Sequence, residues 1–488
     1  MLKIGRPVPQ GSVSPPVQLL LFYTFGLLTL GSLGVALRFE QPAFALLPVA
    51  LLSVAFVLFD TRLIYLTYLV TIVCSIQLEI GSFTTDAPVE PLMVVLMGVV
   101  IASFLLYRDY DSAFIRHPYV VLLLFYLAIL PLNLAFSVDT FLSIKYYLAK
   151  LWYIAAGVFA TGYFIRNFRD IRQWFWLLFV PLFLWAGWIV VKHALEKFSF
   201  EAANLIARPL FYNHVIWSTF LALFIPVTFF ARTWYPKGSW QRRLIGAGVL
   251  LFLLTIILSY TRASWLAVVT MALFYWVVRW RLTQLAMVGL TFATIAGLGF
   301  MISSNRYLDY APEYERTIFH QGDLAKHLEA TYSLEDVSGM ERVYRWVAGV
   351  RMFQERPILG FGPNTFYPDY KRFVVNRFRT YVSDNPEHST THNYFLMLLC
   401  EQGIVGFTFF SALCIVVLLR TTRVYHQLTS PNLKAALMGC ILGFVSILFH
   451  LLLNDLIETN NIGSMFYIFI ALMIRIELMG RRSASPVS

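Results

Sequence analysis

Across its 488 residues the chain is 58% hydrophobic and only 13% charged, with a mean hydropathy of +0.67. That balance excludes a soluble globular protein, because too little polar surface is available to cover the apolar side chains; a polytopic membrane protein remains. The net charge of +11 is no argument for nucleic-acid binding, since over half of the Lys and Arg lie in short segments on one side of the predicted spans.

In chain order, apolar runs long enough to cross a bilayer fall near 17–37, 42–59, 63–80, 91–107, 118–136, 143–165, 174–191, 214–231, 244–261, 264–278, 284–302, 392–419, 434–453 and 460–479. The expected fold is all-α and polytopic, with about 12–14 transmembrane helices and one large extracytoplasmic loop containing short helices. With the N-terminus inside, the inner segments hold 20 Lys and Arg and the short outer segments and spans hold seven, so both termini are expected in the cytoplasm. No cleavable signal peptide is expected. Cys74, Cys400, Cys414 and Cys440 lie in apolar runs without metal-ligand spacing or a disulfide pattern, and read as core residues.

Four segments follow: N-terminal transmembrane helices (1–190), central transmembrane helices (191–302), a large outer loop (303–391) and C-terminal transmembrane helices (392–488). The loop is the one soluble-like insertion, and connections of that length are usually functional. Within it, Val343, Trp346, Val347, Val350 and Phe353 recur at helical spacing. They predict an amphipathic helix with Ser338 as its cap, Pro357 as its stop and Arg342 and Arg345 on an adjoining face. Tyr367, Tyr370 and Phe373 beyond the Gly360-Phe-Gly-Pro363 turn suit a sugar-binding or interfacial surface.

Several groups are candidates for chemistry. Arg262 sits in the very short outer connection Leu258-Ser-Tyr-Thr-Arg-Ala-Ser-Trp265, where a guanidinium is costly unless paired or solvated. It either snorkels to a lipid phosphate or presents a fixed cation to a diphosphate. Arg342 and Arg345 are either a solvated face or part of the same cationic site. His392, in Thr391-His-Asn-Tyr394, is either a satisfied interfacial residue or a proton acceptor; the helix dipole behind it favours the neutral imidazole. Span parity puts Arg262, Arg342 and His392 on one side. Asp109-Tyr-Asp111 resembles a metal-binding carboxylate pair, but the charge count places it inside. Asn454-Asp-Leu-Ile-Glu458 in the last outer turn either orients a base or positions a substrate, or is a hydrated turn, and the hydrated turn is favoured.

Tyr260-Thr-Arg-Ala-Ser-Trp-Leu266, Arg342-Val-Tyr-Arg-Trp346 with Arg356-Pro-Ile-Leu-Gly-Phe-Gly362, and Thr391-His-Asn-Tyr394 with Glu401-Gln-Gly-Ile-Val-Gly406 resemble, in order, the O-antigen ligase and O-antigen polymerase superfamily. The resemblance implies a metal-independent, inverting membrane glycosyltransferase of the GT-C type in the bacterial inner membrane. Its site would face the periplasm, and no cofactor is implied. The donor would be an undecaprenyl-diphosphate-linked glycan and the acceptor lipid A–core or another glycan, with membrane lipids around the helices and no nucleic acid involved. It assigns His392, Arg262 and Arg342 to catalysis, and Arg345, Arg208, Asn393 and Tyr260 to substrate binding. Ligase chemistry is favoured slightly over polymerase chemistry. In other classes, a flippase or small-anion carrier would place ionisable groups at mid-membrane, whereas these cluster at one surface; a membrane scaffold would leave the motifs free to vary.

Overall fold

The computed structural model describes residues 61–80, 83–107, 110–302, 337–375, 383 and 390–484. The expected spans at 17–37 and 42–59, and much of the outer loop, lie outside the described residues. The fold is an all-α polytopic membrane protein, and seven of its described helices are long and apolar enough to cross a bilayer.

The helices run α1 (Thr61–Cys74), α2 (Val89–Ala102), α3 (Pro118–Ala135), α4 (Thr140–Ile154), α5 (Phe168–Leu195), α6 (His214–Ala231), α7 (Trp240–Leu258), α8 (Arg262–Arg279), α9 (Thr283–Ile302), α10 (Val337–Glu355), α11 (Tyr394–Gln427), α12 (Pro431–Leu451) and α13 (Asn460–Ala484). One expected span is corrected. The run at 63–80 stays helical only to Cys74, and Ile76–Ile80 (β1) then pairs antiparallel with Phe83–Ala87 (β2), Ile76 opposite Ala87. Ile76-Gln-Leu-Glu-Ile80 alternates apolar and polar residues, a period of two that cannot bury one helical face.

At one end of the bundle, polar and charged groups from six helices and their caps are paired. Arg62 donates to Asp170 at 2.7 Å. Buried Arg475 donates to Asp111 at 2.8 Å. Glu477 accepts from Arg420 at 2.7 Å and lies 3.1 Å from His117 Nε2. All but Glu477, Asp111, Asp170 and His117 are cations that the charge count places inside. Asp111 also caps the short helix Ser112–Ile115 through the Ala113 N–H, so its carboxylate is committed to structure. Asp109 lies outside the described residues.

The other half is built on close backbone approach. Gly439 and Gly443 on α12, four residues apart, face α6. A Cβ at Gly443 would lie 2.7 Å from the Leu223 carbonyl oxygen, and one at Gly439 would lie 2.9 Å from the Val227 Cα. Small residues at this spacing let two membrane helices pack at short range. Cys400, Cys414 and Cys440 are buried, Cys74 is half-buried, and all four are free thiols, in keeping with core residues.

Candidate active site

At the opposite end of the bundle from the ion pairs, the site grows from a break in α11. Gly403 has φ 64° and ψ −167°, so the helix stops and restarts within a membrane-length segment. Its freed backbone groups are taken up by the loop segment Pro357–Gly362. The N–H groups of Phe361 and Gly362 donate to the carbonyls of Cys400 (3.0 Å) and Glu401 (2.8 Å). Below the break, Ile404 N–H donates to Pro357 O at 2.8 Å. Asn133 on α3, 1% exposed, donates to both Leu359 O (2.7 Å) and Gln402 O (3.2 Å). Glu401 accepts from the N–H groups of Asn364 (2.8 Å) and Phe366 (3.0 Å). Two motifs some 40 residues apart in sequence thus form one hydrogen-bonded unit, because buried backbone groups must find partners.

That unit seats α10 across the first turns of α11. Its buried face differs from the expected one. Tyr344, Arg345, Ala348 and Met352 are buried, whereas Val350 is exposed and Val343, Trp346, Val347 and Phe353 are only half-buried. Arg345 tolerates burial because it donates to Glu341 at 3.3 Å and to Thr390 O at 3.3 Å, and Glu341 also accepts from Ser383 at 2.6 Å. Ser338 lies within α10, and the helix ends at Glu355, two residues before Pro357. Tyr370 is 0% exposed and stacks on Phe366 at 5.0 Å inside a small loop core; Tyr367 and Phe373 pack against that core. Tyr370 is therefore core, not the expected sugar-binding surface.

The Thr390–Asn393 segment is held from both sides. Trp346 Nε1 donates to Thr391 O at 2.9 Å. Asn393 caps α11 by accepting from Leu396 N–H at 3.0 Å. His392 between them takes φ 52°, a left-handed conformation rare outside glycine, of the kind that functional sites store. Its imidazole is near Arg345 and Arg342 and within hydrogen-bonding reach of Asn454. Burial, then Arg345 and Arg342, push its pKa down to about 3, with Asn454 opposing the shift, so the ring is neutral at physiological pH. Its Nδ1 is buried with no hydrogen-bond partner among the described residues.

The turn between α12 and α13 completes the cluster, where the sequence favours a hydrated turn over one that orients a base. Asn454 is 7% exposed and reaches His392. Burial raises the Asp455 carboxyl above its ordinary value, while a hydrogen bond from Thr390 and the Arg345 charge pull the other way. The Asn and Asp residue types in an outer turn were the available signal; their partners lie some 60 residues upstream. The turn is fixed by His450, whose carbonyl accepts from Asn454 N–H at 2.7 Å. The His450 ring lies 3.2 Å from Ser264 Oγ on α8.

Arg262 is the first residue of α8, two before Ser264, and is half-buried. That contact brings the start of α8 to the turn that carries Asn454. Arg208 and Tyr260 belong to the neighbouring outer segment. Arg208 is exposed, donates to Tyr212 O at 3.1 Å and lies over the Tyr212 ring. Tyr260 OH donates to Phe198 O at 2.9 Å and fastens that segment to the top of α8. The described contacts thus join His392, Arg342, Arg345 and Asn454, leave Arg262 two residues from the Ser264 that meets His450, and give Arg208 and Tyr260 partners of their own.

No curated protein matches this chain. Residues 247–411, about a third of it, match the family described as O-antigen ligase, and this match supports placing the chain in the O-antigen ligase and polymerase superfamily.

Proposed function

We propose that the protein is a ligase-type glycosyltransferase of the bacterial inner membrane, with its site facing the periplasm. It would move a glycan from an undecaprenyl-diphosphate carrier to an acceptor hydroxyl, with lipid A–core as the favoured acceptor. The observation that carries the reading is His392: a neutral imidazole set beside two arginines, with a buried Nδ1 that has no hydrogen-bond partner among the described residues. An O-antigen ligase or polymerase type of function is supported in general by the match over residues 247–411. The outward placement rests on the charge asymmetry of the loops and on the paired cations at the far end of the bundle.

In this reading the acceptor hydroxyl gives its proton to His392 as its oxygen attacks the anomeric carbon. The bond from that carbon to the diphosphate oxygen breaks on the opposite face, so the linkage inverts. Charge then develops on the leaving lipid diphosphate, where Arg342 and Arg262 stabilise it. Arg345, tied to Glu341 and Thr390, chiefly holds the histidine segment. Asn454 and Asn393 fix the ring and the helix start, and membrane lipids surround the spans.

The test is the purified protein in detergent with an undecaprenyl-diphosphate-linked glycan, with and without lipid A–core, resolved on a gel. A product that appears only with lipid A–core supports the ligase reading. A ladder from the donor alone makes the protein a polymerase, and no turnover with either removes the transferase reading. Arg342→Ala is expected to lower transfer by about 10²–10³-fold, the scale for losing one preorganised donor to a developing anion. Wild-type rates in that variant remove Arg342 from the mechanism.

A further inference from the structure

Lys150 lies ten residues into α4 and is 2% exposed. A buried ammonium in a membrane bundle is costly and persists where something specific holds it. Its Nζ donates to Glu458 at 2.8 Å, and it lies over the rings of Tyr146 (4.9 Å) and Tyr394 (6.0 Å). Tyr146 OH is 3.3 Å from the same Glu458 oxygen and 3.4 Å from Tyr394 OH. The polar chain continues to Gln402, which donates to Tyr146 OH at 3.3 Å and accepts from Tyr126 OH at 3.0 Å, one residue before the Gly403 break.

The two ends of this network are the two segments that meet at His392. Tyr394 follows His392 by two residues at the start of α11. Glu458 closes the turn that begins at Asn454. Lys150, Asn454 and Glu458 all lie outside the residues that match the ligase family. A core ion pair with only a structural task has no need to join these two places.

We propose that Lys150 is a positioning residue for the transfer reaction: through Glu458 and Tyr394 it fastens the Asn454 turn to the start of α11, and so sets the orientation of His392. The ammonium never touches substrate. It fixes the distance between two segments that are about 60 residues apart, and the Asn454–His392 contact follows from that distance. This inference rests on the transferase reading only for its kinetic consequence; the geometry can be read without turnover.

Two readouts test it in the full-length protein in detergent. The first is the rate at which diethyl pyrocarbonate modifies His392, followed by peptide mass spectrometry, with His426 at the other end of the bundle as internal reference. Lys150→Met and Glu458→Gln are each expected to raise the His392 rate several-fold while His426 is unchanged. The double variant should add nothing further, and Lys150→Arg should restore the wild-type rate. Should Lys150→Met fail to fold, Glu458→Gln carries the test with almost unchanged shape. The second readout is transfer itself: kcat is expected to fall by about 10- to 100-fold with KM for the donor nearly unchanged, as a misplaced catalytic group produces.

An unchanged His392 rate in Glu458→Gln overturns the proposal. An equal rise at His426 also overturns it, since the pair would then be holding the whole bundle. If the wild-type protein transfers no glycan, the proposed function fails, yet the labelling result still decides the role of Lys150.

Discussion

Replacing His392 by alanine is expected to reduce glycan transfer by roughly 10²–10⁴-fold, the range for losing a positioned general base. The fold should survive, because the segment keeps the Asn393 cap and the Trp346–Thr391 hydrogen bond. Unchanged elution in detergent with lost turnover is the expected pair of results, and retained activity would exclude His392 as the base. The low pKa of the ring sharpens the prediction. Burial first, and then the neighbouring Arg345 and Arg342, make the imidazole a weak base; a diphosphate bound beside it adds negative charge and raises its pKa toward the ordinary range. Since kcat/KM reports the free enzyme and kcat the complex, the acid limb of kcat should lie at higher pH than that of kcat/KM. Coincident limbs would mean that the bound diphosphate does not screen the arginines.

The same shift has a sign for stability. The folded His392 pKa of about 3 lies below the ordinary 6.5, so between those values the unfolded chain binds more protons. The contribution is fully present above about pH 6.5 and is lost as pH falls through that window. A His392→Gln variant should accordingly unfold less steeply with acid than the wild type.

Gly403→Ala is expected to produce the largest structural effect. Its φ of 64° already disfavours an L side chain, and an added Cβ would lie 2.7 Å from the Leu359 nitrogen and against the Ile358 carbonyl. The substitution therefore strains the backbone and also expels the Pro357–Gly362 segment that satisfies the broken helix. A loss of roughly 2–4 kcal/mol is expected. Cys400, buried with its thiol on the Gly349 carbonyl at 3.2 Å, supplies the readout. It should become reactive to a maleimide in Gly403→Ala and stay protected in Gly187→Ala, where an added Cβ meets nothing within 4 Å. Equal protection in both would show that the loop segment does not depend on the glycine.

Local features of the chain were legible in advance. His392 at the start of α11 could be read because a polar Thr391-His-Asn393 step followed by an apolar run is a signal carried by neighbouring residues. The charge asymmetry likewise placed Arg62, Arg420 and Arg475 together, and the structure pairs all three at one end. The β1–β2 hairpin was also written in the alternation of Ile76–Ile80, but averaging hydropathy over a span-length window erases a period of two.

The sequence by itself determined that this is a helical membrane protein, because hydropathy and loop charge depend on residues close in the chain. Tertiary structure alone decided which face α10 buries, because Arg345 can leave water only once Glu341, Thr390 and Asp455 stand around it. It alone also brought Lys150 to Glu458 across 308 positions and Asn454 to His392. Such groups are expensive to bury singly and cheap to bury paired, and whether a partner exists is a property of the folded chain.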